Sequence, residues 1–149
     1  MSQKQTAHRA TEILCNKKRG FRELFATERT NLAAAFARKN KVVYGKAFDL
    51  VKCKKVINFQ DENDISDNLD LITVYEVKST NQKNMPKDFA GYFFDLTTAE
   101  LLVAQSLGDQ YKFAFVNTIT GNFMELTITR VYARAKKIYP KWAITLGSP

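Results

Sequence analysis

An α/β fold, with one mixed β-sheet flanked by helices, is the architecture this sequence predicts, and three observations predict it. Two segments rich in β-branched and aromatic residues, VVYGKAFDLVKCKKVINF (42–59) and LITVYEVKS (71–79), flank an acidic stretch of turn composition and read as a hairpin. A segment rich in helix formers, TERTNLAAAFARKN (27–40), precedes them. The text GYFFDLTTAELLVAQSLGDQYKFAFVN (91–117) then reads as strand, helix, strand, a unit that normally closes with parallel strands through a right-handed crossover.

Taken in order, residues 6–18 read as a first helix, interrupted near Gly20. A second runs from about Glu28 to Lys39, with Leu32, Ala35 and Phe36 on one side. Residues 42–59 supply one or two strands, the acidic segment 60–70 the tip of the hairpin, and 71–79 the return strand. Thr97-x-x-Glu100 matches a capping box, and Gly108 suits the stop of the helix it opens. In YKFAFVN, Tyr111, Phe113 and Phe115 alternate with Lys112, Ala114 and Val116, and TGNF (120–123) predicts a turn into a further strand at 123–129. The chain is read as one domain, with an N-terminal helical segment (1–40) and a basic tail (130–149). In that tail Arg130, Arg134 and Lys137 share a side if it is helical, and Pro140 ends it.

Composition narrows the function. At 149 residues, 45% hydrophobic and 12% aromatic, the chain is long and apolar enough to bury a core without disulfides. No apolar run approaches the roughly 20 residues that span a bilayer, and the polar N-terminus lacks a signal-peptide core, so a cytoplasmic address without membrane association is expected. Cys15 and Cys53 stand in no metal-binding spacing. A nucleotide-driven motor finds no support, because no GxxxxGK[ST] loop is present. His8 is the single histidine, which excludes chemistry needing a histidine base together with histidine metal ligands. The net charge is +8 with a pI near 9.5. Asp61, Glu62, Asp64, Asp67 and Asp70 cluster with no base among them, so the rest of the chain is more basic still, the footprint of a phosphate-bearing partner.

Chemistry concentrates at Glu76 and Lys78. In a strand they share a face with Ile72 and Val74, while Tyr75 and Val77 point the other way. With apolar residues on both faces the strand is buried, and two buried ions must be paired or hold a metal. Asp49, in the outgoing strand, can come opposite with Cβ atoms about 5 Å apart. Two carboxylates so placed suit Mg²⁺ or Mn²⁺, which accept phosphate oxygens as further ligands. Asp70 is the poorer partner: six residues along the same strand put it about 20 Å from Glu76 at 3.3 Å per residue. For Lys78 to act as a base, its pKa must fall by about 3 units, roughly 4 kcal/mol.

The pattern Asp49 … Glu76-Val77-Lys78 resembles the signature of the PD-(D/E)XK nuclease superfamily. More narrowly, GKAFDLV … VYEVKST … LTTAELLVAQSLGDQYKFAFV is similar to Mrr-like restriction-endonuclease-like domains, over about residues 28–117. The resemblance implies a restriction-endonuclease-like core and Mg²⁺-dependent hydrolysis of phosphodiester bonds in double-stranded DNA, in restriction or repair, by a homodimer. It makes Asp49 and Glu76 metal ligands and Lys78 the catalytic lysine. Glu28 is the best match for a completing acid on the preceding helix, with Glu23 and Glu12 behind it. Glu100 is a capping residue first and a site residue second. Lys17, Lys18, Arg19 and Arg22 around Gly20, and Arg130, Arg134 and Lys137 in the tail, are the expected phosphate contacts. Tyr132, Tyr139 and Trp142 interleave with the tail cations and are expected to pack the tail onto the core. A nucleic-acid-binding module without hydrolysis is the alternative, and a structural protein docking an acidic subunit a third.

Overall fold

The computed structural model describes residues 3–17 and 20–149, with the side chains of residues 5–16 and 20–149. The elements are α1 (Gln3–Lys17), β1 (Phe21–Arg22), α2 (Ala26–Ala37), β2 (Leu50–Cys53), α3 (Glu62–Asp67), β3 (Ile72–Thr80), α4 (Thr98–Leu107), β4 (Tyr111–Asn117), β5 (Phe123–Leu126) and α5 (Ile128–Arg134). The strands form one sheet in the order β1-β2-β3-β4-β5. β3 and β4 are parallel, with α4 in the connection between them, and the other neighbours are antiparallel. The predicted α/β class with a mixed sheet and flanking helices is therefore present. No helix among the described residues is long and apolar enough to cross a membrane.

The two-residue period of the strands divides the core. Ile72 and Val74 of β3, with Val51, Tyr111, Phe113 and Phe115, pack against Leu32 and Phe36 of α2, Ile65 of α3, and Val103 and Leu107 of α4. Tyr75 and Val77, with Leu50, Ala114 and Val116, face Ala10 and Leu14 of α1. β3 is thus central and covered on both faces, which is why it reads as a nearly continuous apolar run.

Four sequence expectations are corrected. The strand expected across 42–59 shrinks to Leu50–Cys53. Residues 42–49 form a loop because Arg29 satisfies its carbonyls: the guanidinium donates to Gly45 O (2.6 Å), Phe48 O (2.7 Å) and Asp49 O (3.1 Å). The acidic segment is not a turn but helix α3, capped by Asp61 and anchored by Ile65, with the buried Leu69 in the single 3-10 turn that follows. GYFF adds no strand. Both edges of β3 are already paired, so Tyr92 and Phe94 instead lay their rings on Phe115, and the Tyr92 hydroxyl donates to Ser79 O (2.7 Å). Finally, α5 ends at Arg134, so Lys137 shares no helical face with Arg130. From Tyr132 onward every side chain is exposed, and nothing repays the ordering of further turns.

The helix from Thr98 behaves as read. Thr97 Oγ1 accepts from Glu100 N (3.2 Å) and Glu100 Oε2 accepts from Thr97 N (3.1 Å), closing the capping box. Gly108 ends the helix at φ 57°, a conformation that favours glycine.

Candidate active site

Asp49 immediately precedes β2. Leu50 pairs with Tyr75, and continuing the antiparallel register sets Asp49 opposite Glu76. The ladder is clamped there at both levels: Asp49 N donates to Tyr75 O (2.8 Å), and Asp49 Oδ2 accepts from Val77 N (2.8 Å). The carboxyl groups of Asp49 and Glu76 are close enough for each to shift the titration of the other. Arg29, by holding the Asp49 carbonyl, fixes the approach of the loop from the other side.

Lys78 lies two residues along the same face. Its ammonium donates to Glu76 Oε1 (3.1 Å) and to Glu100 Oε2 (2.9 Å). The three side chains are 12%, 13% and 8% exposed, so this is an interior network of ions rather than an edge-strand charge pair. Glu100 reaches it from the first turn of α4, where the capping box fixes its rotamer. One face of β3 therefore passes from apolar (Ile72, Val74) to ionic (Glu76, Lys78) along its length.

The electrostatics follow from counting charges. Three carboxylates surround one amine, so full ionisation would leave the set net negative in a poorly hydrated position. Burial, and then the charges of Asp49 and Glu100, push Glu76 up to about 8 against the pull of Lys78. Burial also raises Asp49, although the Val77 N–H, Lys78 and Arg29 partly offset it. Burial alone would lower Lys78, but Glu76 and Glu100 together outweigh it and raise its pKa. Lys78 is thus held as a cation, and the lowered pKa that a lysine base requires is not what its surroundings produce.

The acid that joins Asp49, Glu76 and Lys78 is Glu100, from the helix that follows β3. Glu28 is buried but engaged elsewhere: it pairs with Arg22 (2.8 Å) and accepts from Phe25 N (2.9 Å) at the start of α2. Glu12 lies on the exposed side of α1, 3.7 Å from His8 Nδ1, and Glu23 stands beside Cys15. Arg22, one of the expected phosphate contacts, is committed to Glu28 and stacks over Phe59. Arg130 is exposed, Arg134 donates to Asp88 O (2.6 Å), and Lys137 is exposed. Lys18, Arg19 and the side chain of Lys17 lie outside the described residues. Sequence reasoning missed Arg29, whose partners in the 42–49 loop are 16 to 20 residues away and leave no local signature.

For a divalent cation the donor set is suitable. Asp49 and Glu76 offer hard oxygens from neighbouring positions of two paired strands, and full ionisation of the set would leave an excess of negative charge, which raises the pKa of Glu76. Among the described residues, no group of three or more acids, histidines or cysteines is already arranged around a common point. Asp49 and Glu76 would therefore be the protein ligands, with water and phosphate oxygens completing the shell, as Mg²⁺ commonly binds.

Beyond Lys78 the strand opens onto a cleft of about 550 Å³, lined by Lys78, Asn81 and Gln82 and by Tyr92, Phe93 and Asp95. Comparison with protein-family models, with curated proteins and with solved structures gives no match for the chain.

Proposed function

We propose that this chain is a metal-dependent nuclease of the PD-(D/E)XK type that hydrolyses phosphodiester bonds in double-stranded DNA, in restriction or repair. One observation carries the reading: two carboxylates from neighbouring strands and one ammonium meet in an interior position where full ionisation would leave net negative charge. A divalent cation at Asp49 and Glu76 supplies charge neutralisation of the phosphate and hydroxide near neutral pH.

The protein's own part is positioning. The Val77 N–H and the Arg29-braced backbone fix Asp49. Glu100 holds Lys78 beside Glu76 as an ammonium ion, the state in which it donates to charge developing on a phosphate oxygen. Arg130 and Lys137 are the exposed cations assigned to the DNA backbone. Action as a homodimer, so that both strands are cut, and a cytoplasmic location belong to the same proposal.

Incubation of the protein with plasmid and linear duplex DNA in Mg²⁺ tests this. Cleavage is expected from the wild type, with a loss of about 100-fold or more in Lys78→Ala and Asp49→Asn, while DNA binding persists. Equal cleavage by wild type and Lys78→Ala would refute the assignment. One observation favours the second reading, a DNA-binding module without hydrolysis: Lys78 is already neutralised by Glu76 and Glu100. That reading gives binding with a steep salt dependence and no Mg²⁺-dependent cutting.

A further inference from the structure

The last 15 residues contradict the expectation that their aromatics pack onto the core. Trp142 is 90% exposed and Tyr139 62% exposed, and Phe93, on the wall of the cleft, is 72% exposed. The tail is nevertheless tethered to the cleft at two points. Tyr139 sets its ring against Phe93 (centroids 6.4 Å apart), and Lys141 Nζ bonds Asp95 Oδ2 (2.8 Å). Phe93 and Asp95 line the same cleft as Lys78. Exposed Lys136 and Lys137 precede the tail's rings, and exposed Lys83 and Lys87 follow the cleft residue Gln82 in the chain.

We propose that Phe93, Tyr139 and Trp142 form a stacking platform for the unpaired bases of a nucleic-acid single strand whose backbone enters the cleft over Lys78. The inference rests on the nuclease reading and narrows its double-stranded DNA substrate to duplexes that present a single-stranded segment, such as a gap, a flap or a frayed end. Exposed rings interleaved with lysines suit a strand that offers base faces and phosphates in alternation. A protein partner fits less well, because lysine is depleted from the cores of protein interfaces. Duplex DNA hides its base faces in the stack. A cleft of about 550 Å³ has the size of a small-molecule pocket. It cannot enclose a double helix whose major groove alone is about 12 Å wide.

Trp142 is the single tryptophan, so its emission reports directly on the platform. In EDTA, titration with an oligothymidine of about 20 nucleotides is expected to quench that emission, and a blunt duplex of equal length to quench it far less. Trp142→Ala and Tyr139→Ala are each expected to weaken binding of the labelled oligonucleotide, read by anisotropy, about fivefold or more, and Trp142→Tyr to restore it. Absence of quenching, or equal quenching by the duplex, overturns the platform. A blue shift that grows with protein concentration alone also overturns it, by assigning the tail to a second copy of the chain. The two readings fail separately: Lys78-dependent cleavage without quenching sinks only the platform, and quenching without cleavage sinks only the nuclease.

Discussion

Replacing Glu76 with glutamine removes the group on which the charge imbalance of the site falls, and the consequence is readable in stability alone. Glu76 has its pKa raised from 4.5 to about 8, so the folded state holds a proton that the unfolded state releases first. The stability associated with that proton is complete below pH 4.5 and is lost as the pH rises through about 8. Full ionisation corresponds to roughly 5 kcal/mol at 1.36 kcal/mol per unit. Roughly 2 kcal/mol of this is gone by pH 6, leaving about 2–3 kcal/mol to be lost between pH 6 and pH 9. Urea unfolding in EDTA at these two pH values should show that fall in the wild type and its near-absence in Glu76→Gln, other titrating groups cancelling in the comparison. At pH 9 Mg²⁺ should restore about 2.7 kcal/mol to the wild type when present at 100 times its dissociation constant, and nothing to the variant. An equally steep fall in Glu76→Gln would refute the placement of the imbalance at Glu76.

Lys78→Ala leaves Glu76 and Glu100 facing each other without a cation, and a loss of about 3–5 kcal/mol is expected in denaturant titration. The triple variant Lys78→Met, Glu76→Gln, Glu100→Gln should recover most of it. Arg29→Leu strips the donor from the carbonyls of Gly45, Phe48 and Asp49. It should cost about 2–3 kcal/mol and abolish any Asp49-dependent activity, which nuclease assays on the refolded variant check. Thr97→Ala removes the cap of α4 for about 1 kcal/mol, a shift of about 2–4 °C in Tm by calorimetry. Phe36→Ala, at a fully buried position, should cost about 3–5 kcal/mol in the same measurement.

Where the signal in the chain was local, the reading of the sequence agrees with the structure. The capping box at Thr97, the stop at Gly108 and the turn between β4 and β5 all rest on contacts a few residues apart. Where it was not local, the reading went astray. Residues 42–49 have the composition of a strand, but three hydrogen bonds from one arginine, Arg29, hold their backbone as a loop, as no propensity records. GYFF is apolar and aromatic like a strand, yet β3 and β4, which Tyr92 and Phe94 touch, are already paired on both sides. The acidic segment is the exception, a local signal masked by charge: Ile65 anchors α3 and Leu69 the 3-10 turn after it, among residues that suggest a turn.

The sequence by itself determined that Glu76 and Lys78 share a face of a buried strand, because side-chain alternation along a strand is a property of covalent geometry. It also determined that this face begins apolar and ends charged. Only the tertiary structure decided which further acid arrives there. Glu28 and Glu100 each sit at the third position of a helix with its carboxylate on the cap, and nothing local says which of them reaches Lys78. The packing of α4 over β3 brings Glu100 to 2.9 Å from Lys78, while Arg22 on the edge strand takes Glu28. The choice is made by which charge each helix start meets after folding, and that depends on the order of strands in the sheet.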